Sequence, residues 1–367
     1  MKAKTRVLHL IDSLDLGGAQ TVLLAWLRCR DCERFDAELA AMHGTRKSLF
    51  HARAAELGIP VHLLAPLRWV PSYLVSLPWL LASRRYDVVH CHLFVSNWLG
   101  KPLAKLLRVP VLVSHDYCND DLRSRSRLIT SIDRWANQFA DWIYVVSASI
   151  KDFLVSTEKI SPSIVQVIPT GVAEDKDLIK RRTSGKVIGA AGRLVAQKNF
   201  ERFLHLAKAL HDLDQDYKFV VAGGGPLEGH LRRLSEDFAL PIKWLGTLPS
   251  LREFFAQIDL FLLTSDYEGL PVTLLEALYF KVPAAATAVD GIAEQFQEEV
   301  FLLDPTSSIA TMASRIHQLM NNPTQRTEMA ERGHAFVNAR FLASAQIAQI
   351  ELKYIELLSS GGKARPN

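Results

Sequence analysis

The sequence predicts an α/β protein made of two doubly wound, Rossmann-like domains. Short apolar blocks of strand length alternate with longer amphipathic segments, as in parallel sheets that are covered by helices on both faces. A chain of 367 residues also exceeds what one hydrophobic core usually holds. The hydrophilic run 174–185 separates two series of these blocks. We therefore predict an N-terminal domain over 1–175, a linker, and a C-terminal domain over 186–340.

The apolar blocks predict the strands of each domain in turn. Those of the first domain are residues 6–12, 35–42, 61–65, 87–92, 111–116, 142–147 and 164–169. Those of the second domain are residues 186–194, 218–223, 242–246, 260–265, 284–289 and 300–304. A last helix over 341–359 follows, and one expectation is that it packs back onto the first domain. If the two domains face each other, the carboxyl ends of both sheets meet in one interdomain cleft, where ligands of such sheets bind.

The charge of the chain bears on its partners. The net charge is +4, and residues 1–175 hold the whole excess, with 21 Lys and Arg against 17 Asp and Glu. This imbalance is too small to indicate nucleic acid, but it suits an acidic or membrane-bound partner of the first domain. No N-terminal apolar stretch resembles a signal peptide, so we expect a cytoplasmic protein, either free or at the inner face of the cell membrane.

Two segments of the first half have the composition of a membrane contact. The apolar stretch 69–82 is too short to span a bilayer, but its tryptophans and flanking arginines are typical of an interfacial segment. The alternative is a helix that packs on the core. Arg123, Arg125 and Arg127 alternate with serines and suit an anionic lipid or a phosphorylated acceptor. A solvated basic face is the alternative for them.

A pair of glutamates eight residues apart is the most informative pattern. Glu268 precedes Gly269, which breaks a strand-length block, and a helix is expected to start at Leu270 or Pro271. Glu276 then lies in the second turn of that helix. The helix start suits a phosphate, so the glutamates are expected to bind sugar hydroxyls on either side of it. The alternative is that they only compensate the helix dipole.

Two cations follow a strand in the second domain. Arg193 comes directly after the block that begins at residue 186, and Lys198 lies near the next helix start. At a strand's carboxyl end they suit a diphosphate, whose negative charge increases as it departs during bond cleavage. The alternative is a pair of solvated surface charges.

Glycine-rich turns follow two of the predicted strands. Gly17 and Gly18 precede an apolar-periodic helix, and Gly225 ends a run of three glycines before a proline. Such turns let the backbone approach a ligand closely, although a plain tight turn gives the same pattern. The spacing is not G-x-G-x-x-G, so a nicotinamide dinucleotide is poorly supported.

Histidines lie at the ends of two neighbouring strands. His90 and His92 alternate onto one strand face, and His115 ends the following strand. A histidine at a cleft-facing strand end could bind a sugar or hold a proton near neutral pH. A metal site at His90 and His92 is disfavoured, because no third or fourth ligand is obvious. The D-x-D pair Asp212 and Asp214 lies at the amino end of its strand and is discounted, so no metal is expected.

In order along the chain, these motifs resemble the retaining glycosyltransferases of family 4, which have the GT-B fold. The residues that carry the resemblance are Gly17 and Gly18, segment 167–172, segment 192–194, Lys198 with Asn199, segment 223–226, and the glutamate pair. The resemblance implies that Arg193 and Lys198 bind the nucleotide diphosphate. It also implies that Glu276 binds the ribose, that Glu268 contacts the transferred sugar, and that His115 lies beside the anomeric carbon.

The resemblance also implies the remaining donor contacts and the reaction. Gly17 and Gly18 would approach the phosphate or sugar, and Gly225, Gly269 and Leu270 would complete the donor site. The donor would be a nucleotide-sugar, most simply a UDP- or GDP-sugar, and the acceptor a sugar, glycolipid or small hydroxyl compound in polysaccharide or glycolipid synthesis. The family uses no metal and no further cofactor, and retention is thought to involve attack from the face that the phosphate leaves.

Three positions depart from the family pattern. Thr170 stands where Asn is usual, Lys281 where Gly is common, and Asp290 at a frequent glycine. Asp290 lies near the expected sugar and could alter which donor fits. Two other functions share this architecture, namely a binding or scaffolding protein without turnover and a sugar-nucleotide epimerase.

Overall fold

The computed structural model describes residues 3–15, 17–65, 72–117, 126–174, 179 and 185–361. It contains two compact units: unit 1 is Met1–Ala173 together with Ala343–Asn367, and unit 2 is Glu174–Leu342. Most of the predicted linker lies outside the described residues.

Each unit contains one parallel sheet. The strands of unit 1 are β1 (Thr5–Ser13), β2 (Phe35–His43), β3 (Val61–Ala65), β4 (Val88–His92), β5 (Val111–Asp116), β6 (Trp142–Val145) and β7 (Val165–Val167). The strands of unit 2 are β8 (Val187–Ala191), β9 (Lys218–Ala222), β10 (Ile242–Trp244), β11 (Leu260–Leu263), β12 (Ala284–Thr287) and β13 (Phe301–Leu303). The sheet orders are β3-β2-β1-β4-β5-β6-β7 and β10-β9-β8-β11-β12-β13. The predicted class, two parallel-sheet α/β domains, is confirmed.

Helices connect the parallel strands. Those of unit 1 are α1 (Gly18–Cys29), α2 (Leu49–Glu56), α3 (Tyr73–Arg84), α4 (Lys101–Leu106, after a π-helical segment Ser96–Gly100), α5 (Arg127–Asn137) and α6 (Ala148–Ser156). Those of unit 2 are α7 (Phe200–Leu213), α8 (Glu228–Asp237), α9 (Arg252–Phe255), α10 (Val272–Tyr279), α11 (Asp290–Gln295), α12 (Ile309–Met320) and α13 (Pro323–Arg340). The last helix, α14 (Ala343–Ser359), belongs to unit 1 and packs on α1.

The two faces of the unit 1 sheet differ in chemistry. One face is aliphatic, with Leu10, Val89 and Leu112 packed under α3 and α4. The other face carries His9 and His90, which lie side by side on neighbouring strands and pack against residues of α1 and α14. Both faces are buried, which explains why the strands read as short, nearly continuous apolar runs.

The strand order reverses direction between β1 and β4 in unit 1 and between β8 and β11 in unit 2. In doubly wound sheets the loops that follow such a pair of strands form the usual ligand site. Gly17 follows β1, whereas Arg193 follows β8 and Glu268 follows β11. The topology therefore brings the motifs of unit 2 to one edge of its sheet.

Helix α3 includes residues 73–82 of the apolar stretch 69–82. Leu77 and Leu80 are buried against the sheet, as the core-packing interpretation expects, whereas Trp79 is 69% exposed. Trp69 lies outside the described residues, as do Arg123 and Arg125. Within the described ranges, no helix combines the length and apolar character that crossing a membrane requires.

Candidate active site

Hydrogen bonds join the loops that follow β8 and β11. The Asp266 N–H donates to the carbonyl of Gln197 at 2.9 Å, and the Asn199 amide donates to the Asp266 carboxylate at 2.9 Å. The Thr264 hydroxyl donates to the carbonyl of Asn199 at 3.0 Å. Strand β11 ends at Leu263, so Thr264 and Ser265 lie in the loop and not in the predicted strand 260–265. The two loops therefore form one rigid platform at the switch point of unit 2.

Lys198 and Glu268 meet on this platform. The Lys198 ammonium and the Glu268 carboxylate form an ion pair, and the Ser265 hydroxyl donates to the same carboxylate oxygen at 2.6 Å. The exposed fractions of the two charged side chains are 15% and 6%. The sequence predicted separate roles for the two residues, on the diphosphate and on the sugar. In the structure each one orients the other, and Ser265 is a partner that the sequence argument missed.

The loop after β12 fixes the backbone of Glu268. The Glu268 N–H donates to the Asp290 carboxylate at 3.2 Å, and the Gly291 N–H donates to the Glu268 carbonyl at 3.1 Å. A Cβ at position 291 would lie 1.8 Å from the Gly269 carbonyl oxygen, so only glycine fits there. Asp290 has a φ of 35°, which explains why glycine is common at this position in the family. Asp290 thus supports the peptide of Glu268.

Arg193 and Glu276 lie at the same edge of the sheet. Arg193 directly follows Gly192 after β8, is exposed, and forms no ion pair with any residue that the structure describes. Helix α10 begins at Val272 after an extended Pro271, close to the predicted start. Glu276 is half-buried in the second turn, as predicted. The amino end of α10 and the Arg193 guanidinium, which has no ionic partner among the described residues, are the two groups at this edge that attract an anion.

Gly225 has a structural role that the sequence analysis did not separate from ligand binding. Its φ is 159°, and a Cβ there would lie 2.6 Å from the Leu194 carbonyl oxygen. The Leu194 N–H donates to the carbonyl of Gly224 at 3.0 Å. The room left by the missing side chain is therefore filled by the loop that carries Arg193. A donor contact of Gly225 stays a prediction.

The switch point of unit 1 contains the glycine turn and the end of β1. Gly17 is the N-cap of α1, where no described side chain caps the first turn, and Gly18 begins the helix. Asp12, the second-last residue of β1, accepts hydrogen bonds from the N–H groups of Val95 and Ser96 at 3.0 and 2.7 Å. Burial raises the pKa of Asp12. Its position at a strand's carboxyl end was readable from the sequence, but we did not single it out.

Of the two roles suggested for His115, the structure does not favour the one in which the ring holds a proton near neutral pH. Its side chain is fully buried, with the ring 4.5 Å from Tyr117 and 4.9 Å from Trp26 between centroids. Burial lowers the pKa of His115 to about 3, so the ring is neutral at pH 7. Neither ring nitrogen has a hydrogen-bond partner among the described residues. A sugar contact of His115 stays a prediction and requires the ring to become exposed.

A third histidine joins the two that the sequence analysis weighed as metal ligands. One ligand atom each of His9, His90 and His92 lies within 4.8 Å of the others. The rings of His90 and His92 are stacked with their centroids 4.2 Å apart, and His9 Nδ1 lies 3.1 Å from His92 Nε2 in a hydrogen bond. Hydrogen bonds join His90 Nδ1 to the Tyr354 hydroxyl at 2.6 Å and His92 Nδ1 to the Tyr117 hydroxyl at 2.9 Å, as expected of histidines in a core.

The D-x-D pair lies away from this edge. Asp212 pairs with Lys208 within α7, and Asp214 pairs with Lys186 at 2.5 Å, just before β8 begins. Both contacts are at the amino ends of the strands, as predicted. The two aspartates are therefore surface ion-pair partners.

Two family models match the chain with little overlap. The model described as Glycosyltransferase Family 4 matches residues 16–176, and the model described as Glycosyl transferases group 1 matches residues 173–336. Their junction coincides with the division between the two units. The chain belongs to the family 4 glycosyltransferases of the GT-B fold.

Curated relatives of this glycosyltransferase act on different acceptors. One is the UDP-Gal:alpha-D-GlcNAc-diphosphoundecaprenol alpha-1,3-galactosyltransferase of Escherichia coli, 28% identical over 59% of this chain and 62% of that protein. Another is the 2-deoxystreptamine glucosyltransferase of Streptomyces kanamyceticus, 23% identical over 84% of this chain and 87% of that protein. The alignment with the first therefore spans less than two thirds of its length.

Solved structures share the fold at low sequence identity. HepE from Anabaena, in complex with UDP and glucose, is 19% identical, with a TM-score of 0.80 over 97% of this chain and all of that one. Sucrose-phosphate synthase from Thermosynechococcus elongatus is 16% identical, with a TM-score of 0.76 over 97% of this chain and all of that one. These likenesses show the fold of the glycosyltransferase.

The fold explains a second departure from the family pattern. Lys281 follows α10 with a φ of 56°, and its N–H donates to the carbonyl of Leu278 at 3.0 Å. This left-handed position after a helix end is the one that favours glycine. The lysine side chain forms an ion pair with Glu331 at 2.6 Å. Thr170 is buried, and nothing in the structure explains its replacement of Asn.

Proposed function

We propose that the chain is a retaining, metal-independent glycosyltransferase that moves a hexosyl group from a nucleotide-sugar to a hydroxyl acceptor. The observation that carries this proposal is the ion pair of Lys198 with Glu268, fixed by Ser265 at the switch point of unit 2, where the exposed Arg193 also follows β8. Charged residues that form only a surface ion pair do not need hydrogen bonds from three separate loops, here those after β8, β11 and β12. A site that must hold charged groups in one geometry does.

The chemistry of donor cleavage assigns a task to each charge. When the bond between the sugar and the diphosphate breaks, negative charge accumulates on the phosphate that leaves. Arg193 and Lys198 would stabilise that charge, and the amino end of α10 would add its dipole. These two cations can supply the charge that a divalent metal supplies in other transferases, which is why we propose a metal-independent reaction.

The two glutamates then suit the neutral parts of the donor. Glu276 in the second turn of α10 would accept hydrogen bonds from the ribose. Glu268 would accept one from the transferred sugar while its other contacts hold Lys198 toward the phosphate. Asp290, which accepts a hydrogen bond from the Glu268 N–H, would lie behind Glu268 and would not itself contact that sugar. For Gly269 and Leu270 we propose that their backbone faces the sugar and phosphate.

The comparisons support a UDP-sugar donor and a lipid-linked or polysaccharide acceptor. Solved structures that share the fold hold UDP with glucose and UDP-glucose. The Escherichia coli relative is named for a UDP-Gal donor and an undecaprenol-linked acceptor. We therefore propose a UDP-sugar as the first donor to test, with a GDP-sugar next, and a glycolipid of cell-surface polysaccharide synthesis as the acceptor class.

Product analysis by NMR tests the reaction. The protein is incubated with α-linked UDP- and GDP-sugars in EDTA, with and without a polyprenyl-diphosphate-linked sugar. We expect nucleoside diphosphate to appear with transferred or released sugar in the α configuration. A β product would contradict retention, dependence on added metal would contradict metal independence, and an epimerised nucleotide-sugar without acceptor would replace the transferase proposal.

A further inference from the structure

Three neighbouring helices cover one face of the unit 1 sheet. Helix α4 lies between α3 and α5 and contacts both. On their inner side, Leu77 of α3 and Ala104 of α4 are buried in the aliphatic cluster of the sheet. Hydrogen bonds from Trp98 to Asp133 and from Lys101 to Asn137 tie the segment that includes α4 to α5. Packing on the sheet and these hydrogen bonds therefore hold the three helices, called here the three-helix layer, in place.

Large apolar side chains are concentrated on the outer side of the three-helix layer. Among the described residues, eleven large hydrophobic side chains are exposed, and seven of them lie on these helices or directly after α4: Leu74, Val75, Trp79, Leu106, Leu107, Leu128 and Trp135. The two tryptophans are 69% and 50% exposed. Single exposed apolar residues are ordinary, but a group on three adjacent helices marks a surface that something covers.

The same side is basic. Its exposed charged residues are Arg84, Arg85, Lys105, Arg108, Arg127 and Arg134. Within the described segments 72–86, 93–110 and 126–140 the single acidic residue is Asp133, which is buried and bonded to Trp98. Of these bases, Arg84 alone forms an ion pair with a described residue, Glu38. The exposed charge on the three helices is thus positive throughout.

We propose that this apolar-basic face binds the surface of an anionic lipid bilayer. Tryptophan and leucine side chains at the headgroup level, with arginines and lysines beside lipid phosphates, are the composition of interfacial helices. A second copy of the chain is a poor occupant, because a symmetric interface would bring two positive faces together. The proposal deepens the function proposed above by placing the enzyme at the membrane, and it does not depend on transfer chemistry.

Vesicle co-sedimentation of the full chain tests the proposal. Vesicles of pure phosphatidylcholine are compared with vesicles that contain phosphatidylglycerol, at low and at high salt. We expect binding to the anionic vesicles and a decrease at high salt, because screening weakens contacts with the lipid charge. Either Trp79→Ser with Trp135→Ser, or Arg85→Gln with Lys105→Gln and Arg108→Gln, should weaken that binding by about 10-fold or more.

The matched control replaces exposed leucines on other surfaces. Leu213→Ser with Leu352→Ser removes comparable exposed side chains, which are 56% and 61% exposed, and should leave vesicle binding unchanged. Circular dichroism of every variant checks folding. Absence of binding by the folded wild type, equal binding to neutral vesicles, or equal loss in the control would overturn the proposal. The assay contains no donor, so its failure leaves the transferase proposal to the NMR experiment.

Discussion

The environment of Lys198 determines how the effect of a substitution at this residue must be interpreted. From sequence alone it is a surface cation that adds little to stability. In the structure its ammonium is the ionic partner of the buried Glu268 carboxylate. Removing the cation would leave that carboxylate buried, with Ser265 as its one remaining side-chain donor among the described residues. A loss of turnover in a single variant would therefore mix chemistry with folding.

A double variant separates the two effects. Lys198→Met should lower the free energy of unfolding by about 1–3 kcal/mol, because a buried charge loses its partner. Adding Glu268→Gln removes that charge, so urea unfolding should show most of the stability restored. Turnover should stay at least roughly 100-fold below wild type in both variants. Recovery of turnover in the double variant would show that the pair serves folding alone.

Arg193 offers a cleaner measurement, because it is exposed and unpaired among the described residues. Arg193→Ala should weaken nucleoside diphosphate affinity by about 10- to 100-fold, the range of a lost charge-assisted hydrogen bond. The melting temperature without ligand should not change. Arg233→Ala, an exposed arginine of α8, is the matched control. Equal affinity of the two variants in calorimetry would remove Arg193 from the donor site.

At the scale of elements, α14 is anchored to unit 1 by polar contacts. Trp26 donates its indole N–H to Gln346 at 3.2 Å, and the Asp31 N–H donates to Glu351 at 3.1 Å. Burial, with the Asp31 charge as a smaller cause, raises the pKa of Glu351 to about 7. The helix thus docks through a carboxyl group that is half ionised near physiological pH.

The titration of Glu351 gives stability a pH dependence with a definite sign. Between pH 4.5 and 7 the folded state holds a proton that the unfolded state has lost, so this contribution is full below 4.5 and disappears as pH rises through 7. Glu351→Gln should therefore be more stable than wild type at pH 8, by about 1–3 kcal/mol, and equal to it near pH 4. Urea unfolding at both values measures this. Glu356→Gln, exposed on the same helix, should show no such difference.

At the scale of the whole molecule, the buried histidines make unit 1 sensitive to acid. Burial lowers the pKa of His9 and of His115 to about 3, and the pKa values of His90 and His92 also lie well below 6.5. Below pH 6.5 these histidines take up protons in the unfolded chain but stay neutral in the folded state. The stability is present above pH 6.5 and is lost as pH falls toward 3, in the opposite direction to Glu351.

Unfolding at several pH values counts these protons. From pH 6.5 to 5 the free energy of unfolding should fall by up to about 1.4 kcal/mol per pH unit for each histidine. In a Glu351→Gln background, which removes the opposing contribution, His9→Asn should reduce the slope by about one proton. An unchanged slope would show that His9 already takes up a proton in the folded state.

The fold was predictable because its signals are local and repeated. Each strand of a covered parallel sheet reads as an apolar block, and Gly192 and Pro271 mark where backbone leaves or enters regular structure. The edge that gathers Arg193, Lys198 and Glu268 also followed, since carboxyl ends of parallel strands share one edge. These inferences need only the order of elements along the chain.

Pairwise contacts were not predictable, because they depend on distances between loops. The Lys198 ion pair joins residues seventy positions apart, and nothing local distinguishes it from two separate ligand contacts. His115 was placed at a strand end correctly, but whether a strand side chain meets solvent or α1 depends on packing. His9 joined His90 and His92 because β1 and β4 are neighbours, which the sequence pattern does not state.

In the proposed function, unit 2 holds a nucleotide-sugar at the edge that carries Arg193, Lys198 and Glu276. A thermal-shift screen in EDTA against UDP, GDP, ADP and their common sugar conjugates tests it most directly, since a ligand that binds only the folded state must raise the melting temperature. We predict stabilisation by one nucleotide family, reduced in Arg193→Ala and in Glu276→Ala. No shift with any nucleotide in a folded sample, or an equal shift in wild type and both variants, would contradict this donor site.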